Sequence, residues 1–178
     1  SGTYSFANTV TGSGSVTTQK STSVTGAFSG FTGTFTHNST TTSVSFNTAS
    51  ATSANAAYVI ASSQGSSQGM IAAGNGDYTL SIGSLGGVAN SLFRGGNSAT
   101  GTTILQIGGL NTDSVFPGII SDGASKKLGL TKVGTGKLTL GGANTYTADT
   151  TVSAGILAVD GDSLADSNKL IIDGGKVE

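Results

Sequence analysis

LTKVGTGKLTLGGANTYTADTTVSAGILAV, residues 130–159, carries the clearest strand-and-turn rhythm in the chain. Leu138-Thr139-Leu140 alternates apolar and polar residues, which sends the two leucines to one face of a strand and the threonine to the other. Thr151-Val152 and Ile156–Val159 are β-branched or aliphatic and equally short. Gly134, Gly136, Gly142 and Gly155 fall between these runs, where a chain that bends sharply needs residues without a Cβ. No run is long enough for a packed helix. The pattern predicts strands over Lys137–Leu140, Thr151–Ser153 and Ile156–Val159, led by Leu128–Lys132, with Leu138 and Leu140 on one apolar face.

The same rhythm extends outward. Strand-like segments are expected at Tyr4–Val10, Ser15–Gln19, Phe31–His37, Ser43–Thr48 and Ala56–Ala61. Others follow at Tyr78–Ile82, Ser91–Phe93, Thr103–Ile107 and Lys169–Ile172. Turn residues recur every 8 to 12 positions, a spacing that suits a sandwich, a barrel or a β-solenoid. The best helical candidate is Ala49–Ala61, and its Thr, Ser and Asn residues weaken it.

Composition agrees. Gly, Ser and Thr fill 82 of the 178 positions, so turns and β-branched strands dominate. Charged residues make up 10% of the chain, yet recurring Val, Ile, Leu and Phe leave enough apolar surface to fold. Before residue 121 the only charges are Lys20, Asp77, Arg94 and Asp113. The remaining charges lie beyond it and read as conventional solvated loops. A net charge of −1 gives no electrostatic footprint for nucleic acid. No apolar run approaches the ~18 residues of a helical membrane span. The absence of cysteine removes a disulfide framework.

Lys132, Gly134, Gly136, Leu138, Leu140 and Gly142 keep the frame of a known repeat. So do Asn144-Thr-Tyr-Thr147, Thr150-Thr-Val152, Gly155, Leu157 and Val159. This segment resembles the autotransporter-associated β-strand repeat, also called the passenger-associated transport repeat. It departs from that pattern at Ala148, where the family usually has Gly. Phe116–Gly123 resembles the approach to such a repeat. The resemblance implies an all-β, right-handed parallel β-helix in an exported bacterial surface protein, located outside the cell or on its surface. Leu138, Leu140, Val152 and Leu157 would then stack on equivalents in neighbouring rungs, and Asn144 would bond to an adjacent rung. The chain divides on this basis into a Ser/Thr/Gly-rich all-β region, 1–115, and a repeat segment, 116–178. A β-sandwich in the first 110 residues abutting a short solenoid stays open as the alternative.

Residues with chemical potential are few. His37, the only histidine, reads as a polar strand end. A groove collecting His37, Asp77, Arg94 and Asp113 would be needed to make a catalytic centre. Asp160, Asp162 and Asp166 lack the spacing of known calcium loops and read as a solvated loop. Thr32-Gly-Thr34, Thr34-Phe-Thr36 and Thr145-Tyr-Thr147 read as ordinary threonine ladders. No catalytic, cofactor-binding or metal-binding residue is assigned and no cofactor is expected.

The expected function is a structural rod or stalk segment, adhesin-like or fibre-forming, and not an enzyme. A glycan- or partner-binding module is the alternative, and a polysaccharide-active β-helix enzyme comes third. A chain opening on Ser1-Gly2 reads as mature, as excised from something longer, or as carrying a cloning scar. It starts almost in a strand at Tyr4 and stops in one at Val177-Glu178 without a polar cap. At ~20 residues per rung, about nine rungs are expected; their open edges would associate end to end, with a monomeric excised fragment as the alternative.

Overall fold

The computed structural model describes residues 2–63, 68–160, 164 and 169–178. Short strands, numbered in chain order, wind through a parallel β-solenoid of about 7 turns. One face stacks β1 (Tyr4–Phe6), β3 (Thr22–Val24), β5 (Ser43–Phe46), β7 (Gly69–Ala72), β10 (Leu92–Gly95) and β13 (Ile119–Ser121). A second stacks β2 (Ser15–Thr18), β4 (Thr34–His37), β6 (Ala57–Ile60) and β9 (Ser84–Gly87). A separately hydrogen-bonded sheet of β12 (Ser114–Phe116), β15 (Lys137–Leu140), β17 (Ile156–Val159) and β19 (Lys176–Val177) follows, with β12 packed on β9. The third face stacks β8 (Tyr78–Ile82), β11 (Gly101–Ile107), β14 (Lys126–Lys132), β16 (Thr150–Val152) and β18 (Leu170–Ile172).

Every strand pairing is parallel and in register, so each inward residue sits on its equivalent in the rung before. Leu105 lies on Leu80, Leu130 on Leu105, and Leu157 on Leu138. Leu138 and Leu140 point inward as expected, at 1% and 0% exposure. The first rungs have strands on two faces only. On their third side single backbone bonds link rungs: Val10 N–H to the Ala27 carbonyl at 2.8 Å and Phe28 N–H to the Ser50 carbonyl at 2.7 Å. Aromatic rings fill the interior there, with Phe28 5.8 Å from Phe35 and Phe35 stacked on Tyr58 at 5.8 Å. Beyond Phe93 the three-sided rungs pack mainly Leu, Ile and Val instead.

Four expectations are corrected. The sandwich alternative fails because strands of the first 110 residues pair in parallel with strands a rung away. The rungs number about 7, not nine. Partners Tyr4↔Thr22 and Thr150↔Leu170 are near the ~20-residue period, but longer connections carry Phe93↔Ile120 and Ala57↔Ser84. The helical candidate contributes one 3-10 turn, Ala49–Ala51, before its remaining apolar residues enter β6. Strands β3, β7, β9, β12 and β13 escaped the sequence reading. They are three or four residues long, and each contains a glycine or serine that blurs the apolar alternation.

Candidate functional site

The polar residues of this solenoid do their chemistry between rungs. Asn and Asp side chains at the corners accept backbone N–H groups one rung on, groups that a bend leaves without a strand partner. Asn75 Oδ1 accepts from Thr100 N at 3.2 Å and Asp77 Oδ1 from Thr102 N at 2.7 Å. Asn111 Oδ1 accepts from Thr135 N at 3.1 Å and Asp113 Oδ1 from Lys137 N at 2.8 Å. Asp122 takes Leu128 N at 2.7 Å through Oδ1 and the Thr147 hydroxyl at 2.6 Å through Oδ2. Asn144, buried, reaches the other way: its Oδ1 accepts from Ile120 N in the preceding rung at 2.7 Å. That bond to an adjacent rung is the one its place in the repeat implied.

Two lysines oppose this acidic and amide set from inside. Lys132 continues the inward column of Ile82 and Ile107 and lies beneath Val152, yet it is 1% exposed. Its ammonium turns to the corner and donates to the carbonyls of Val133 (2.6 Å), Gly134 (2.8 Å) and Ala154 (3.3 Å). Lys126 is fully buried and donates to the Gly76 carbonyl and, at 3.1 Å, to that of Thr100. It also lies 4.3 Å from the centre of the Tyr78 ring. Desolvation lowers the pKa of both lysines; the Asp77 carboxylate opposes this at Lys126 and Asp113 does so at Lys132. The expectation that charges beyond residue 121 lie in solvated loops is therefore corrected for these two. In the sequence, only the glycines of Lys132-Val-Gly-Thr-Gly136 mark a corner where carbonyls could converge.

The four residues whose convergence would have made a catalytic groove bond to four separate sets of partners. His37, on β4, is fully buried, with Nδ1 3.0 Å from the Thr18 hydroxyl and Nε2 2.9 Å from the Thr42 carbonyl. Burial lowers its pKa. Arg94 is 7% exposed and donates to the Gly95 carbonyl and Asn97 Oδ1, both at 2.9 Å. Asp77 and Asp113 are the corner clasps already described. Of the acidic cluster, Asp160 is described and its backbone N–H bonds to the Leu140 carbonyl at 3.0 Å. Asp162 and Asp166 lie outside the described residues. Among the described residues no three His, Cys, Asp or Glu side chains gather as metal ligands.

The threonine pairs are partly structural. Thr34 pairs with Ser15 and Ala57, and Thr36 with Thr17 and Val59, so the outward threonine rows end within a rung or two. Thr147 is bonded to Asp122. Tyr146, between Thr145 and Thr147, is buried, and its hydroxyl is 2.7 Å from Thr150 Oγ1; burial pushes the phenol up to about 12.

This geometry accounts for the glycines of the repeat. Gly134 and Gly155 adopt φ of 70° and 62°, conformations that favour glycine. Gly136 and Gly142 sit where a Cβ would run into the carbonyls of Thr112 and Gly118 in the rung below. Comparison with the curated proteins and with the solved structures gives no match. Comparison with protein families does find a match, on the segment whose glycines, lysine and asparagine hold the rungs together: residues 130–159 of this chain match the passenger-associated-transport-repeat.

Proposed function

We propose that this chain is a rigid structural segment of an exported bacterial passenger protein, outside the cell or on its surface, where it spaces or displays other parts. The observation that supports it most is the parallel, in-register stacking that links β1 to β13 on one face and β8 to β18 on another, over one core and with clasped corners. About 7 turns at ~4.8 Å each make a rod of about 34 Å. Rungs that pack mainly on their neighbours can fold by addition as a chain emerges from a pore. End-to-end contact through the outer edges of β1, β18 and β19 belongs to the same reading.

A glycan-binding role would call for a row of exposed rings. Among the described residues Tyr4, at 60% exposure, is the one largely exposed aromatic, so the rod reading leads. The test is display: the segment is placed between an export signal and an outer-membrane translocator, with an epitope at its outer end. The expected result is a surface-accessible epitope and a segment that survives added protease. Cleavage as fast as that of a Leu138→Asp control would refute the rod.

A further inference from the structure

We propose that the corner formed by Gly76, Tyr78 and Thr100 is a binding site for a primary alkylammonium ion, which the chain fills with its own Lys126. Lys126 begins β14 and stands above Gly101 of β11 in the parallel register. Gly101, at φ 88°, has no side chain to block the way, and a Cβ there would lie 2.7 Å from Asp77 Oδ1. The lysine stem therefore passes the β11 rung. Its ammonium donates to Thr100 of the rung below and to Gly76 two rungs below. The Tyr78 ring faces it at 4.3 Å. Two carbonyl oxygens and the face of a phenol, with the Asp77 carboxylate adding its field, are the elements that recognise an organic ammonium.

The walls of this corner do not depend on the lysine. Thr100 N–H is held by Asn75 Oδ1 and Thr102 N–H by Asp77 Oδ1. The Tyr78 hydroxyl accepts from Gly74 N–H at 2.9 Å and donates to the Phe46 carbonyl at 3.1 Å. Removing the Lys126 side chain leaves a lined cavity with its acceptors in place. The chain thus carries its cation on a covalent stem, and its stacking at this corner needs none from outside.

Thermal unfolding of the Lys126→Ala chain in n-butylammonium chloride tests this, against sodium chloride and tetramethylammonium chloride at equal ionic strength. Lys126→Met, which keeps the stem and loses the charge, is the companion variant. Both variants are expected to melt below the unsubstituted chain. Butylammonium should raise the midpoint of Lys126→Ala saturably and shift its Thr100 amide resonance, while leaving the other two chains where the inorganic salt leaves them. A rise no larger than with sodium, an equal rise in all three chains, or a Lys126→Met chain as stable as the original would overturn the site. Should Lys126→Ala not fold, the unsubstituted chain decides. Its Lys126 ammonium resonance must be protected from exchange and ring-shifted by Tyr78, and a Lys126 signal that exchanges like that of exposed Lys127 overturns the proposal.

Discussion

At the scale of single residues, burial separates neighbours of identical chemistry. Lys126 is fully buried and Lys127 exposed, because strand alternation turns one inward and the next outward. Leu138 and Val115 make a second pair on the same sheet: Leu138 is 1% exposed and inward, Val115 58% exposed and outward. Leu138→Asp puts an unpaired carboxylate into the stacked core and should cost several kcal/mol, whereas Val115→Asp should stay within about 0.5 kcal/mol. Urea midpoints measure both, and equal shifts would refute the inward assignment. Ser66, a natural choice for a loop control, lies outside the described residues.

His37 makes stability depend on pH. Its pKa is depressed by desolvation, against bonds to Thr42 and Thr18 that pull the other way. The unfolded imidazole titrates near 6.5, so between about that pH and the lower folded value the unfolded chain binds more protons than the folded one. The histidine's contribution is therefore intact above about pH 6.5 and is lost as pH falls through the folded value. Denaturation midpoints followed downward from about pH 7.5 should begin to fall below about pH 6.5 in the original chain, and fall less in His37→Gln. An identical drop in both would place the acid sensitivity elsewhere.

At the scale of the element, the corners matter more than the strands. Gly134 and Gly141 both border β15, but only Gly134 has a positive φ and a Cβ position against Gly108 and the Asn111 side chain, 2.8 Å from Oδ1. The nearest atoms to a Cβ at Gly141 are those of Pro117, at 3.5 and 3.8 Å. Gly134→Ala should cost about 2 kcal/mol or more, and Gly141→Ala should be nearly neutral. Asp113→Ala, which frees the Lys137 N–H where β15 begins, should cost about 1 kcal/mol. Thermal melts of the three variants give the comparison, and a Gly141→Ala chain as damaged as Gly134→Ala would contradict the rung spacing.

At the scale of the molecule, stability should be distributed along one dimension. Each rung touches its neighbours, so damage spreads by nearest-neighbour contact and not through a common centre. Hydrogen exchange of Leu138→Asp should show faster exchange in β14 to β17 while β3 to β7 keep their protection. Uniform loss across all strands would mean a single cooperative core. Sedimentation at tens of micromolar tests the proposed end-to-end contact, and a concentration-independent monomer would remove it.

The all-β class was legible in the residues alone, since apolar alternation and turn spacing recur over short strands; the choice of a solenoid over a sandwich or barrel came from the resemblance of 130–159 to the repeat. Leu138 and Leu140 could be placed on one inward face by alternation, while Val152 and Leu157 in the core and Asn144 at a neighbouring rung followed from the resemblance. The rest came from the folded chain. Rung length depends on connections such as that between Phe93 and Ile120, which carry no periodic signal. The fates of Lys126, Lys132, Asp77 and Asp113 depend on which backbone groups a bend leaves unpaired one or two rungs away. A lysine is charged and flexible wherever it occurs in a chain. What makes it a buried clasp is the convergence of carbonyls from residues as distant in sequence as Gly76 and Lys126, and stacking alone brings those together.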